Sequence, residues 1–279
     1  MTPGAVTRRT DSETPRLIAT DLDGTFLNAR GVISEVNQRA FREAAERGVE
    51  LVVATGRPWR WLDVLEPLRD LDLHVLTSNG AVRYDLRAGE VTSHDGLDAE
   101  VVQEVIDELR GLDTRLGFAL EHLDGWSCDE LYHAWSPPLV APEPVIRPID
   151  QALEMPAVKL LIRSRDLPTD RLADLLEPLI GDRLTSTWSF VVSPGMLEIS
   201  SPGVTKASGL RQVLDDLGID AGDAVAFGDM PNDIAMLQLV GRGFVMANAH
   251  ESLLELGLPV AGDHDDSGVG RTVLGLLGA

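Results

Sequence analysis

The sequence predicts an α/β fold: a parallel-sheet core interrupted by an inserted α+β domain. Three observations carry this expectation. From Leu17 to about residue 82, short apolar runs are followed by polar or glycine-bearing turns and then amphipathic stretches, which is the alternation of βαβ units around a parallel sheet. The alternation resumes at Gly203 after a long stretch of different texture. The 279 residues also exceed the usual size of a single core, so two cores are expected.

In chain order, residues 1–15 read as a flexible tail, because their basic pair is followed by no apolar core such as a secretory signal or membrane anchor needs. The first strand is Leu17 to Thr20, ending in Asp21-Leu22-Asp23-Gly24-Thr25. Ser34 suits the N-cap of a helix with Val36, Ala40, Phe41 and Ala44 on one face and Gly48 at its stop. The strand Leu51 to Ala54 leads into Thr55-Gly56-Arg57-Pro58, where Pro58 suits the first turn of another helix. A third strand, Leu73 to Leu76, ends in Ser78-Asn79-Gly80.

Beyond Gly80 the pattern is α+β: a hairpin from Val82 to Tyr84 and Val91 to Ser93, a helix from Asp98 to Leu109, and a strand from Arg115 to Leu120. Pro137, Pro138, Pro142, Pro144 and Pro148 remove amide donors and predict a loop. A strand Val158 to Ile162, a helix Asp170 to Leu179, and strands near Leu184 to Val192 and Met196 to Ser200 complete the insert. The core then resumes with a helix Lys206 to Leu217 behind the N-cap Thr205, a strand Ala224 to Phe227, and the turn Gly228-Asp229-Met230-Pro231. A helix from Asn232, a strand Phe244 to Met246, a helix near Glu251 and a last helix from Gly270 follow. Residues 16–82 and 197–279 are thus expected to build one sheet, and 83–196 the insert.

Composition narrows the partners. Lys plus Arg number 24 against 45 Asp plus Glu, a formal net charge of −21. Such a surface disfavours nucleic acid and anionic membranes, which need a basic field. It leaves room for one small phosphorylated metabolite, provided a local cation or metal offsets the acidic surroundings. The single cysteine, Cys128, excludes an intrachain disulfide and a Cys-based zinc cluster. A reducing, cytoplasmic setting is expected, and no apolar run approaches the roughly 18 residues of a membrane helix.

The chemistry gathers at predicted strand ends, which share one edge in a parallel sheet. Asp21 and Asp23, two residues apart on an extended end, point the same way. One carboxylate can attack phosphorus to form an acyl phosphate while the other moves a proton. For a lone Asp-x-Asp-Gly a turn would be the simpler reading. Asp229, with Asp21 and a carbonyl near Asp23, offers the hard oxygen ligands Mg²⁺ prefers. Asn232 and Asp233 are next in line to hold Asp229 or a metal-bound water, although acids there also suit the helix dipole. Lys206 sits in the first turn of a helix, where a cation is unfavourable unless an anion stands beside it. Thr55, the Gly56 amide, and the groups near Asn79 could take the remaining phosphate oxygens. The cluster His122, Trp126, Cys128, Tyr132, His133 and Trp135 could line a sugar-phosphate pocket, but the simpler expectation is tryptophans in the insert's core and exposed histidines.

Together, Asp21-Leu22-Asp23-Gly24-Thr25, Thr55-Gly56-Arg57-Pro58, Ser78-Asn79-Gly80, Lys206 and Gly228-Asp229-Met230-Pro231-Asn232-Asp233 resemble the ordered motifs of the haloacid dehalogenase superfamily, in particular its Cof-type phosphatases. The resemblance implies a Rossmann-like catalytic core with a cap domain inserted between the second and third motifs. It implies a phosphatase that uses Mg²⁺ and an aspartyl-phosphate intermediate, with a sugar phosphate the expected substrate. It also implies roles: Asp21 as nucleophile and metal ligand, Asp23 as acid/base with its carbonyl on the metal, and Asp229 as the third protein ligand. Thr55, Gly56, Lys206 and Asn232 would bind phosphate, supported by Arg57, Asn79 and Asp233. Phe26 departs from the aliphatic residue many relatives carry, which changes packing more than chemistry.

Three alternatives remain open on sequence. A phosphomutase on the same fold would return the phosphoryl group to sugar, a phospho-accepting signalling domain would keep it, and a sugar-phosphate sensor would bind without turnover. Gly268-Val269-Gly270 lacks the third glycine of a dinucleotide fingerprint and reads as a helix start.

Overall fold

The computed structural model describes residues 14–112, 115–136, 143–189 and 193–279. Most of the expected tail, together with Pro137, Pro138, Pro142 and the end of the strand expected near Val192, lies outside them. The chain divides into two compact units, one running to Ser93 and resuming at Thr205–Ala279, the other His94–Val204. The first unit holds β1 (Leu17–Thr20), β2 (Glu50–Ala54), β3 (Leu73–Thr77), β4 (Val82–Asp85) and β5 (Glu90–His94). The second holds β6 (Leu116–His122), β7 (Gly125–Cys128), β8 (Val145–Ile146), β9 (Ala157–Ser164), β10 (Thr185–Thr187) and β11 (Met196–Ser200). The first unit then closes with β12 (Ala224–Gly228) and β13 (Arg242–Val245).

Among the described residues, the first unit's sheet runs β13-β12-β1-β2-β3-β4-β5. Its first five strands are parallel and β4 pairs antiparallel to β3. Strands buried on both faces must be apolar throughout. Accordingly Ile18, Leu51, Val53, Val225 and Phe227 face the helices Glu35–Glu46 and Gly268–Leu277, while Leu17, Ala19, Val52, Ala54 and Ala226 face Lys206–Leu217 and Ile234–Leu239.

Several expectations are corrected. The hairpin β4–β5 extends the core sheet, and β11 belongs to the second sheet, so the junctions fall at 93/94 and 204/205 and not near 82 and 197. The cause is pairing: β4 takes up the free edge of β3, and β11 pairs with β9. Pro58 caps only a 3₁₀ turn, Trp59–Trp61, and Pro231–Asp233 is likewise 3₁₀ before the α-helix starts at Ile234. Ser34 does cap its helix, accepting from the Asn37 amide, but Val36 is exposed and Asn37 is buried in its stead. The Asn37 amide group donates to Phe26 O (2.7 Å) and accepts from Gly270 N (2.8 Å), which stitches the two helices' ends together.

The second unit's sheet runs β10-β11-β9-β6-β7-β8. One face packs Phe118, Leu120, Leu160, Ile162, Leu197 and Ile199 against the helices Ala99–Arg110 and Thr169–Ile180. Trp126, Cys128, Tyr132 and Met196 form a smaller cluster. Trp126 is therefore core, as the simpler expectation had it, Trp135 is half-buried and His133 exposed. His122 departs from that expectation: it is buried, its ring nitrogens within hydrogen-bonding distance of Pro156 O and Ser127 Oγ. Val145–Ile146, inside the expected proline-rich loop, pairs with β7 as a short edge strand. No helix among the described residues is long and apolar enough to cross a membrane.

Candidate active site

From β1 the chain winds outward through β2 and β3 on one side, and it returns on the other side of β1 as β12 and β13. Such a reversal of strand order opens a crevice at the carboxyl ends of the strands. Thr20 lies in register with Val53 and with Phe227, so the residues after them leave the sheet along one edge. The Asp21 amide completes the ladder by donating to Phe227 O (3.0 Å).

Residues Leu22–Phe26 form a wide turn closed by Leu27 N to Leu22 O (2.8 Å). Gly24 occupies the left-handed region, and a Cβ there would lie 2.2 Å from Asp229 Oδ2. Next to it, the Thr25 hydroxyl donates to Asp229 Oδ1 (2.7 Å). The turn after β3 meets a comparable demand. Gly80 has φ +95°, and a Cβ there would lie 2.4 Å from Thr205 O, so only glycine lets the helix Lys206–Leu217 begin so close. That helix is opened by Thr205 and Ser208, each side chain accepting from the other's backbone amide.

Lys206 is the centre of the site. It is 1% exposed, and its Nζ donates to Asp21 Oδ1 (2.6 Å) and Asp233 Oδ1 (2.8 Å). A cation in the first turn of a helix is thus offset by two carboxylates. Burial alone would lower the Lys206 pKa, but Asp21 and Asp233 hold it well above the usual lysine range. Asp233 also accepts from the Asp229 and Met230 amides through Oδ2, both at 3.0 Å. It therefore caps the turn Pro231–Asp233 and clamps the lysine at once.

Asp21, Asp229 and Asp233 each offer an oxygen within 4.8 Å of the others. Burial pushes the Asp21 carboxyl well above the usual carboxylate range; Lys206 pulls it down, and Asp233, Asp229 and Asp23 push it further up. Burial and then Asp233 push Asp229 up to about 6, and Asp229 shares a hydrogen bond with Asp21.

The other expected residues stand around this group. Asp23 is exposed, and both its oxygens are held by Arg57, from Nε (2.8 Å) and Nη2 (2.6 Å). Thr55 is buried, and its Oγ1 accepts from the Arg57 amide (3.1 Å), which leaves its own hydrogen for another acceptor. Gly56 is half-buried in the same turn. Asn79, left-handed at φ +58°, accepts from Asn232 Nδ2 (3.0 Å), so it orients Asn232. Asn37 and Asn248 were missed on sequence, each a single polar residue in no motif, and Thr25 was read only as the end of the first motif, with no role; nothing short of the fold reveals their partners.

The profile of the haloacid dehalogenase-like hydrolases matches residues 18–273. The chain belongs to this family. It is 31% identical over 258 residues to the HMP-PP phosphatase of Cronobacter sakazakii, covering 88% of this chain and 90% of that one. It is 28% identical over 287 residues to the 5-amino-6-(5-phospho-D-ribitylamino)uracil phosphatase YwtE of Bacillus subtilis, covering 94% and 98%. At 27% identity it spans 45% of the length of the chloroplastic endoribonuclease YBEY of Arabidopsis thaliana. The crystal structure of SMU.1108c from Streptococcus mutans superposes with a TM-score of 0.81 at 25% identity, covering 95% of this chain and all of that one.

A hard divalent cation fits the donor set of this family member. Three buried carboxylates face one ammonium, which leaves net negative charge in a dry site. Both oxygens of Asp233 are engaged, so Asp21 and Asp229 are the carboxylates best able to ligate. Asn232 Oδ1 is buried with no hydrogen-bond partner among the described residues.

Proposed function

We propose that this hydrolase is an Mg²⁺-dependent phosphatase acting in the cytoplasm on a small phosphorylated metabolite, a sugar phosphate first among them, through an aspartyl phosphate on Asp21. The observation that carries the reading is the Lys206 ammonium held between Asp21 and Asp233, with Asp229 beside them, at the switch point of a parallel sheet. The YwtE relative, whose named substrate carries a phosphorylated ribityl chain, supports a polyol phosphate.

Asp21, oriented by Lys206 through Oδ1 and by the hydrogen bond it shares with Asp229, is the nucleophile. Its attack forms an O–P bond as the ester P–O bond breaks, and the departing oxygen takes a proton from Asp23, which must turn from the Arg57 guanidinium that holds both its oxygens in this structure. A water then gives a proton to the Asp23 carboxylate and attacks phosphorus, breaking the Asp21–phosphorus bond and freeing inorganic phosphate. Lys206 and the Thr55 hydroxyl offset and orient the phosphoryl oxygens, the lysine from the first turn of a helix whose amides also favour an anion. Asp21 and Asp229 would hold Mg²⁺, with Asn232 alongside; when bound, the ion supplies positive charge against the phosphoryl group. Residues 94–204 are then the cap of the family's architecture and 14–93 with 205–279 its catalytic core.

Phosphate release from a panel of sugar phosphates, nucleotides, pyridoxal phosphate and p-nitrophenyl phosphate, with Mg²⁺ and with EDTA, tests the reading. Metal-dependent release supports it. Silence from a folded protein on every ester overturns it, and isomerised sugar phosphate in place of free phosphate would shift it to a mutase.

A further inference from the structure

The turn that carries Asp23 is held at its far side by a residue outside every motif. Asn248 lies in the loop after β13, and its Nδ2 donates to the Gly24 carbonyl (2.8 Å) while its Oδ1 accepts from the His264 amide (3.1 Å). An amide fixed at both ends has one orientation, because a flip would place donor against donor and acceptor against acceptor. His264 is itself tied back to the same region through Nδ1 and Leu27 O (2.9 Å).

Gly24 needs such a restraint more than any neighbour. It follows Asp23 directly, sits at φ +73°, and as glycine has the largest conformational freedom of any residue. The Asp23 side chain is exposed, and it is gripped from one side by the Arg57 guanidinium, itself anchored on Trp61 O (3.2 Å). Rotation about the Gly24 Cα–C bond would change how the turn runs from Asp23 into Thr25, and the held carbonyl resists it. Thr25, in contrast, has its own tie to Asp229, and Phe26 O its tie to Asn37.

We propose that Asn248 is a positioning residue for the proton-transfer step: by pinning the Gly24 carbonyl, it fixes where Asp23 meets the leaving oxygen. The inference rests on the acid/base reading of Asp23 given above. Its signature is a dependence on the leaving group, since an ester that needs a proton on departure suffers from a displaced acid and an activated one does not.

The test uses the full chain with Asn248→Ala and Asn248→Asp. The aspartate keeps the acceptor for the His264 amide but sets an oxygen against the Gly24 carbonyl, so it separates the pin from a general loop contact. kcat/KM is measured on p-nitrophenyl phosphate and on an alkyl phosphate such as a hexose 6-phosphate, with the Mg²⁺ half-saturation and the melting temperature alongside. Both variants are expected to lose about tenfold or more on the alkyl ester, and less than about threefold on the activated one, with Mg²⁺ half-saturation unchanged. Equal losses on both esters, no loss, or full rescue by the aspartate would each overturn the role. If the alanine variant does not fold, the aspartate variant alone decides by the same ratio. Wild-type protein that releases no phosphate from either ester would instead remove the phosphatase reading, and this role with it.

Discussion

Lys206 and Asp21 stand 185 positions apart in the chain and 2.6 Å apart in space. Both are buried, and the pair is shared with Asp233, so the same ammonium restrains the nucleophile candidate and the turn that presents Asp229. Stability and chemistry are therefore coupled at this one side chain.

Lys206→Met is expected to cost stability as well as activity. It strands Asp21 and Asp233 in a dry site, and breaking a buried pair from one side costs about 3–5 kcal/mol. Chemical denaturation should show a lower midpoint at pH 7, partly recovered in acid where the carboxylates protonate. An unchanged midpoint would count against the buried pair.

Asp21→Asn removes the attacking group with little change of shape. Phosphate release should fall by about a thousandfold or more, with circular dichroism unchanged. Near-normal turnover would eliminate Asp21 as nucleophile.

The pH response of the metal-free protein follows from Asp229. Its folded pKa, pushed up to about 6, lies above the ordinary carboxylate value, so between the two the folded state binds more protons than the unfolded. This contribution is complete below the unfolded value and is lost as pH rises through about 6; Asp21 shifts in the same direction. EDTA-treated protein should therefore melt lower at pH 7.5 than at pH 5 as far as this site decides it. Mg²⁺ should raise the melting temperature more at pH 7.5 and release protons when added near pH 6. Equal Mg²⁺ effects at both pH values would argue that Asp21 and Asp229 do not ligate it.

Gly24→Ala places a methyl group against Asp229 Oδ2 at a left-handed position. The backbone effect alone is about 1 kcal/mol, and relief of the clash must move Asp229. The Mg²⁺ half-saturation should rise; an unchanged half-saturation beside a lowered melting temperature would place the strain in the fold and not the site.

Cys128 should resist a maleimide until the protein unfolds. It is fully buried in β7, and burial followed by the neighbouring Asp129 pushes its thiol up to about 11. Rapid labelling of the native protein would contradict that packing.

Much of this was legible because the residues follow a period and a place. Asp21, Thr55, Asn79 and Asp229 each come just after an apolar run, and a parallel sheet puts those positions on one edge. Lys206 was visible as an electrostatic oddity at a helix start, although only the fold supplies the two carboxylates that explain it. The hairpin β4–β5 was legible as a hairpin but not as part of the core sheet, since alternation does not say which free edge a strand will take. Val36 followed the helical period and was still wrong, because Asn37 has two backbone partners to satisfy and takes the inward position. Asn248 had no local signal at all, and Thr25 closed a motif without disclosing its contact; their partners, Gly24 O and Asp229, lie 224 and 204 positions away.

The pairing of β1 with both β2 and β12 has a consequence for synthesis. β1 gains its first neighbour soon after it emerges from the ribosome, but its other edge waits for Ala224–Gly228. At about 5–20 residues per second, the roughly two hundred residues between them take about 10–40 s to translate. Throughout that interval the nascent chain carries Asp21 and Asp23 without Asp229 or Asp233, and for most of it without Lys206. A chain released early thus holds the two carboxylates without the buried ammonium that restrains Asp21, and the complete site assembles only when the last strands of the sheet arrive.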